Sequence, residues 1–241
     1  MGNSDNHILG IIGGLGPAST AYFYQMIIEH TKANRDSDHI DLYISNAATT
    51  PDRTAFILDN KNQSPLPRLQ EEAKKLKECG CDVLALSCNT AHCFFDEIKN
   101  SVGIEMLNMV DLTFRYLDKK SIKKVGILAT DGTIETGLYQ NVGKKYGIEC
   151  VIPDKDMQKK VMSLIYDYIK GGRSVSGDAI LSVYNHLRDN GAEFAVLACT
   201  ELSILKKKLN LSDFYIDALE ILAKEAIEYC NKEAIGFEEL K

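Results

Sequence analysis

The feature that most constrains this chain is an alternation kept up from end to end. Short apolar runs rich in β-branched residues, at 7–12, 40–45, 83–87, 105–109, 124–129, 149–152, 194–198 and a brief 214–216, are separated by longer stretches. In the stretches 19–33, 65–79, 91–101, 111–119, 134–146, 156–170, 176–190 and 218–233 apolar residues recur at helical spacing, with charges on the opposite face. Runs that are apolar at nearly every position suit strands covered on both faces, and a strand followed by a helix leads into a parallel neighbour. The pattern predicts an α/β fold with mainly parallel sheet.

Two passages of the chain repeat. Leu9-Gly10-Ile11-Ile12-Gly13 matches Val125-Gly126-Ile127-Leu128-Ala129, and Val83-Leu84-Ala85-Leu86-Ser87-Cys88-Asn89-Thr90 matches Ala195-Val196-Leu197-Ala198-Cys199-Thr200-Glu201. The separations are 116 residues (10 to 126) and 111 residues (88 to 199). Near-equal spacing of two independent matches predicts duplicated halves, each a small doubly wound, Rossmann-like sheet, facing one another across a cleft. The boundary is expected near 118–121, giving an N-terminal domain 1–118 and a C-terminal domain 119–217, with the last helix, about 218–241, returning to pack on the first domain.

Charge and cysteine usage exclude several classes of function. The net charge is −6, and lysines and arginines are scattered among acids, so no basic stripe exists to meet nucleic acid or an anionic membrane. The apolar run at 8–12 is too short for a signal or a membrane span, which gives a cytoplasmic expectation. Seven cysteines, an odd number in such a chain, read as reduced thiols to be judged one at a time.

Two of the seven stand apart. Cys88 and Cys199 each come just past a buried strand, where a helix begins, and ligands of open parallel sheets bind beyond strand carboxyl ends. A helix N-terminus favours a thiolate, so either cysteine can serve as a base. Asn89, Thr90, Thr200 and Glu201 beside them suit helix capping or the holding of a carboxylate. The other five, Cys79, Cys81, Cys93, Cys150 and Cys230, read as packing residues. His92 lies one helical turn beyond Cys88, as a tuning partner or a structural histidine. A metal site is not expected, because Cys79-x-Cys81 has the wrong spacing and no second pair closes a tetrahedron around Cys88, His92 and Cys93.

The loops after the first strand of each half are the remaining candidates. Gly13-Gly14-Leu15-Gly16-Pro17-Ala18-Ser19-Thr20 opens a helix, and Gly14 and its neighbours let the backbone approach an anionic group. As a dinucleotide fingerprint, Gly14-x-Gly16-x-x-Ser19 misses the third glycine, so no cofactor is expected. The loop 46–54 concentrates hydrogen-bonding residues, among them Thr50 and Arg53, the latter able to grip a carboxylate with two parallel bonds. In the second half Thr130-Asp131-Gly132-Thr133 takes the place of the glycine loop.

Gly13-Gly14-Leu15-Gly16-Pro17, Pro51-Asp52-Arg53-Thr54, Cys88-Asn89-Thr90-Ala91-His92 and Cys199-Thr200-Glu201-Leu202 together resemble the aspartate racemase branch of the aspartate/glutamate racemase superfamily. The resemblance implies two similar α/β domains, a homodimer, and racemisation of an acidic amino acid without pyridoxal phosphate. It makes Cys88 and Cys199 the two acid/base groups, with Asn89, Thr90, Thr130 and Thr200 on the α-carboxylate and amino group and Arg53 on the side-chain carboxylate. Gly14 and Thr50 complete the expected substrate contacts, with Arg173, favoured over Lys170, as a second cation. The motifs depart from those of glutamate racemases, since the glycine loop lacks Asp-Ser and Cys199 is followed by Thr-Glu rather than Thr-His, which favours aspartate. A broad-specificity amino-acid racemase, a hydantoin racemase or a maleate isomerase also fits. A dicarboxylate-binding protein and a nicotinamide-dependent oxidoreductase are the rivals from other classes.

Overall fold

A computed structural model describes residues 7–171 and 177–237. Within them, eight strands form two four-stranded sheets, every pairing parallel. The first contains β1 (Leu9–Gly13), β2 (Leu42–Asn46), β3 (Val83–Leu86) and β4 (Glu105–Leu107), in the order β2-β1-β3-β4. The second contains β5 (Lys124–Ala129), β6 (Glu149–Val151), β7 (Phe194–Ala198) and β8 (Tyr215–Asp217), in the order β6-β5-β7-β8. The two sheets thus repeat one strand order, and all eight apolar runs are strands within two residues at each end.

The helices are α1 (Pro17–His30), α2 (Arg53–Leu58), α3 (Leu66–Glu78), α4 (Phe95–Val102), α5 (Met109–Lys119), α6 (Asp131–Glu135), α7 (Leu138–Tyr146), α8 (Lys155–Ser163), α9 (Gly177–Asp189), α10 (Thr200–Leu209) and α11 (Ala218–Tyr229). Three of the expected helices are modified. The stretch at 91–101 opens as a 3-10 turn, Thr90–Phe94, and that at 134–146 is broken between α6 and α7. The stretch at 156–170 widens after α8 into a π-helix, Leu164–Lys170. Two helices, α2 and α10, lie where the periodicity marks none.

Period-two alternation along the central strands divides the core into three. Leu9 and Ile11 of β1, Val83 and Ala85 of β3, Val125, Ile127 and Ala129 of β5, and Val196 and Ala198 of β7 all face one shared cluster, closed by residues of α1, α5, α7 and α11. The alternate residues face outward: Ile12, Leu84 and Leu86 toward α3 and α4, and Leu128, Ala195 and Leu197 toward α9 and α10. One apolar mass therefore joins the two sheets, and burial at about 25 cal/mol per Å² makes it the main stabiliser of their arrangement.

The chain crosses between the sheets twice, after α5 and after β8. At the second crossing α11 leaves the second sheet and packs on α5 and α1. Its start is fixed by Asp217, whose Oδ1 accepts from the Leu219 amide at 2.8 Å and from Ser203 Oγ at 2.7 Å. Opposite the shared core, α2 meets α6, and a methyl at Gly132 would stand 2.9 Å from the Thr54 Cα, so glycine permits the contact. No helix of the described residues is long and apolar enough to cross a membrane.

Asp217 is fully buried, and burial first, Glu220 second, push its carboxyl up to about 7. The folded chain keeps this proton to higher pH than the unfolded one, so the stability it contributes is complete below about pH 4 and lost as pH rises through 7. Asp217→Asn keeps an oxygen for the cap and removes the charge. The variant should show a higher urea midpoint than the wild type at pH 8, with the gap closing at pH 4; a pH-independent gap would contradict the assignment.

Candidate active site

The strands β3 and β7 occupy the same place in their sheets, and the residues past their carboxyl ends come together. Cys88 follows β3 by two residues, and Cys199 is the N-cap of α10 in extended backbone. Both are buried, at 7% and 5% exposure, and both line one cavity with Arg53, Asn89, Thr90, Thr130, Thr200 and Glu201. The cavity holds about 10 Å³, room for about one water molecule.

The two sulfurs have opposite neighbours. Arg53, at the start of α2, has its guanidinium against Cys88 and is itself 8% exposed. Burial works against its charge, but Cys88 first, then Asp52 and Tyr166, hold its pKa above the ordinary arginine value. Its fork is anchored on backbone: Nη1 donates to the carbonyls of Thr50 at 3.4 Å and Pro51 at 3.2 Å, and Nη2 to that of Leu15 at 2.7 Å. A fixed positive charge therefore stands beside Cys88.

Cys199 meets a carboxylate instead. Its Sγ donates to Glu201 Oε2 at 3.0 Å, and the Thr200 hydroxyl is 3.4 Å from the same oxygen. Glu201 reaches across to the glycine loop of the first half, where a methyl on Gly16 would come within 2.7 Å of Glu201 Oε1. The N-terminus of α1, expected to receive a small anion, is thus faced by the chain's own carboxylate, which its dipole favours. Gly14 is not among the cavity residues, and its amide donates to Thr20 Oγ1 at 2.9 Å, inside the loop.

Three hydroxyls close the cleft from the two sides. Thr90 Oγ1 lies 2.9 Å from Thr130 Oγ1 and 3.0 Å from Thr133 Oγ1, and the last two are 3.1 Å apart. Thr130 also caps α6. Asn89 is 2% exposed, and its Oδ1 accepts from the Tyr139 hydroxyl. Thr50, by contrast, turns away from the cavity: its hydroxyl donates to the Ala47 carbonyl at 2.7 Å. Arg173 lies outside the described residues.

His92 is a brace rather than a proton carrier. Met109 N–H donates to its Nε2 at 3.1 Å, which leaves the proton on Nδ1, and Nδ1 donates to the Cys88 carbonyl at 2.8 Å. Both ring nitrogens are committed, so neither is available to a metal. Burial pushes its pKa down to about 4. Burial likewise pushes the thiols of Cys81 up to about 11 and of Cys93, Cys150 and Cys230 up to about 12, holding these four as thiols.

The unfolded chain protonates His92 near pH 6.5, where the folded chain refuses the proton. Its contribution to stability is complete above that pH and lost as pH falls toward 4, on the order of 3 kcal/mol. Side-chain NMR should find one of the five histidine rings still neutral at pH 5, with the urea midpoint falling over the same range. Five rings titrating normally would remove this account.

Sequence reasoning did not single out Tyr139 or Tyr166, and took Glu201 as a residue for helix capping or for holding a carboxylate rather than as the partner of Cys199. Glu201 carried a signal, a carboxylate two positions after a strand-end cysteine. Tyr139 carried none, because its partner is 50 residues away.

Matched strand orders, with one thiol beyond the third strand of each sheet and a single cavity holding both, define a two-lobed α/β protein with a paired-cysteine site. The chain belongs to the Asp/Glu/Hydantoin racemase family, whose sequence model matches residues 12–226. It is similar to the solved aspartate racemase of Picrophilus torridus, 32% identical over 95% of this chain and 96% of that one, with a TM-score of 0.80. An aspartate racemase homologue of Pyrococcus horikoshii is 25% identical over 93% and 99% of the two chains, with a TM-score of 0.76. A broad specificity amino-acid racemase of Bacillus subtilis is 27% identical over 91% of this chain and 96% of its own length.

Proposed function

We propose that the protein racemises an amino acid without pyridoxal phosphate, an acidic one by preference and aspartate first, using Cys88 and Cys199 as its two acid/base groups. The observation that carries this reading is the pair of buried thiols at equivalent strand ends lining one cavity, one beside a guanidinium and the other beside a carboxylate.

Racemisation removes the Cα proton from one face and returns a proton to the other. The guanidinium of Arg53 stands against Cys88 and the Cys199 Sγ donates to Glu201, so in this reading Cys88 is the base toward one enantiomer and Cys199 the acid. The Cys88 thiolate takes the Cα proton, the electron pair spreads into the α-carboxylate, and Cys199 delivers its proton to the opposite face. The reaction leaves a thiol at 88 and a thiolate at 199, and the opposite enantiomer runs it backward. No bond to sulfur forms. Asn89, Thr90, Thr130 and Thr200 supply donors for the carboxylate as its charge grows.

A broader substrate range is the second reading, favoured by the commitment of Arg53 to three backbone carbonyls, which leaves less of its fork for a distal carboxylate. The homodimer and the cytoplasmic location rest on the resemblance and on the sequence, and light scattering checks the first.

Cys88→Ser and Cys199→Ser should each lower racemisation of L-aspartate by about 10²–10⁴-fold or more, the scale of a lost acid or base. In D₂O each single variant should still place deuterium at Cα of one enantiomer without inverting it. Near-wild-type polarimetry in either variant would sink the two-thiol mechanism, and affinity for aspartate with no loss of rotation in the wild type would make the protein a binder. A panel of neutral amino acids separates the two substrate readings.

A further inference from the structure

Tyr139 is the largest fully buried side chain among the described residues, and it is not among the residues that line the cavity. It stands on α7, in the second half, with its ring 5.9 Å from that of Phe114 on α5. Its hydroxyl crosses to the first half and donates to Asn89 Oδ1. Burial first, then Asp217 and Cys199, raise its pKa well above the ordinary phenol value, so the hydroxyl keeps the proton it donates.

The consequence lies at the other end of the amide. An asparagine amide has an acceptor oxygen on one side and a donor nitrogen on the other, and the bond from Tyr139 fixes which side the oxygen takes. Asn89 lines the cavity between the two cysteines, and its Nδ2 is buried with no hydrogen-bond partner among the described residues. A buried donor without a partner costs about 1–3 kcal/mol, and it is tolerated where an acceptor arrives to satisfy it. With the amide turned the other way, Oδ1 would face the cavity and repel a carboxylate.

We infer that Tyr139 is a positioning residue: it locks the Asn89 amide with Nδ2 toward the cavity, where that N–H₂ group binds the α-carboxylate and stabilises its growing charge during proton abstraction. Tyr139 touches no substrate. It acts from the far side of Asn89, within the shared core, so the donor stays aimed at the cleft when the cleft walls separate. The inference rests on the racemase reading, which it deepens.

The test is a double-mutant cycle with Tyr139→Phe and Asn89→Ala, using L-aspartate or whichever amino acid the wild type racemises fastest. Phenylalanine keeps the ring packing, and thermal unfolding checks that each variant is folded. Tyr139→Phe should lower kcat by about tenfold to a hundredfold, the scale of a hydrogen bond to a charged group, while KM changes by less than about threefold. In the Asn89→Ala background the same change should cost nothing further, because the two act through one donor. Asn89→Asp keeps the acceptor for Tyr139 and removes the donor, so it should lose activity as fully as Asn89→Ala; it decides the matter if Tyr139→Phe does not fold. Additive losses, an active Asn89→Asp, or an unaffected kcat in Tyr139→Phe would overturn the inference. A wild type that binds L-aspartate without racemising it would overturn the racemase reading alone, and the same cycle would then be read in Kd by calorimetry, with non-additivity expected. A wild type that neither racemises nor binds an amino acid would overturn both.

Discussion

The arrangement of the whole molecule depends on one apolar cluster that two sheets share. Each central strand gives every second residue to it, Val83 and Ala85 from one half and Val196 and Ala198 from the other. A strand whose side chains alternate between two buried layers cannot slip by one residue without exchanging the layers, so its register is fixed. The residues that follow such a strand inherit that precision. Cys88 and Cys199 emerge from the ends of β3 and β7 at places set by packing on the strand behind them, and loops alone do not supply such placement.

The cleft side is held differently. Its contacts are three mutually bonded hydroxyls, a close approach of α2 to α6, and the reach of Glu201 to the glycine loop. Neutral hydroxyl pairs contribute on the order of 1 kcal/mol each, far less than the apolar area on the other side. The cavity between the walls has room for about one water molecule, so an amino acid enters it only where some of these contacts give way. The fold thus combines a strong apolar side, on which two chain crossings lie, with a weaker polar side that contains the cavity.

The eight strands and the duplication were legible in the sequence because both depend on patterns local to a strand, and Lys124–Ala129 and Phe194–Ala198 are bounded as expected. The two thiols were legible for the same reason, since a position just past a buried strand is a local property. Two helices were not. In α2, only six residues long, Asp52 caps the Ala55 amide, and its polar start reads as loop. In α10 the run Lys206-Lys207-Lys208 suits the negative end of a helix dipole but interrupts the apolar periodicity by which helices are recognised. The partners of the thiols were only half legible: that Arg53 would be near the site followed from its loop, but that its fork would be spent on backbone carbonyls depends on where Leu15 lies in space.

That use of Arg53 bears on how the site handles charge. A guanidinium bound to three carbonyls is rigid, and its charge is not neutralised by them, so it remains a fixed cation at the edge of Cys88. Glu201 is the matching carboxylate at Cys199, so two chemically identical thiols stand in unlike surroundings. Two equivalent thiols in one cavity would share their protons without preference, and half of the molecules with a single proton between them would hold it on the wrong sulfur for a given enantiomer. Under the racemase reading, unlike neighbours give the two thiols unlike roles toward a given enantiomer. Glu201 also faces the positive end of α1, so the carboxylate that the glycine loop approaches is the one that accepts from the Cys199 thiol.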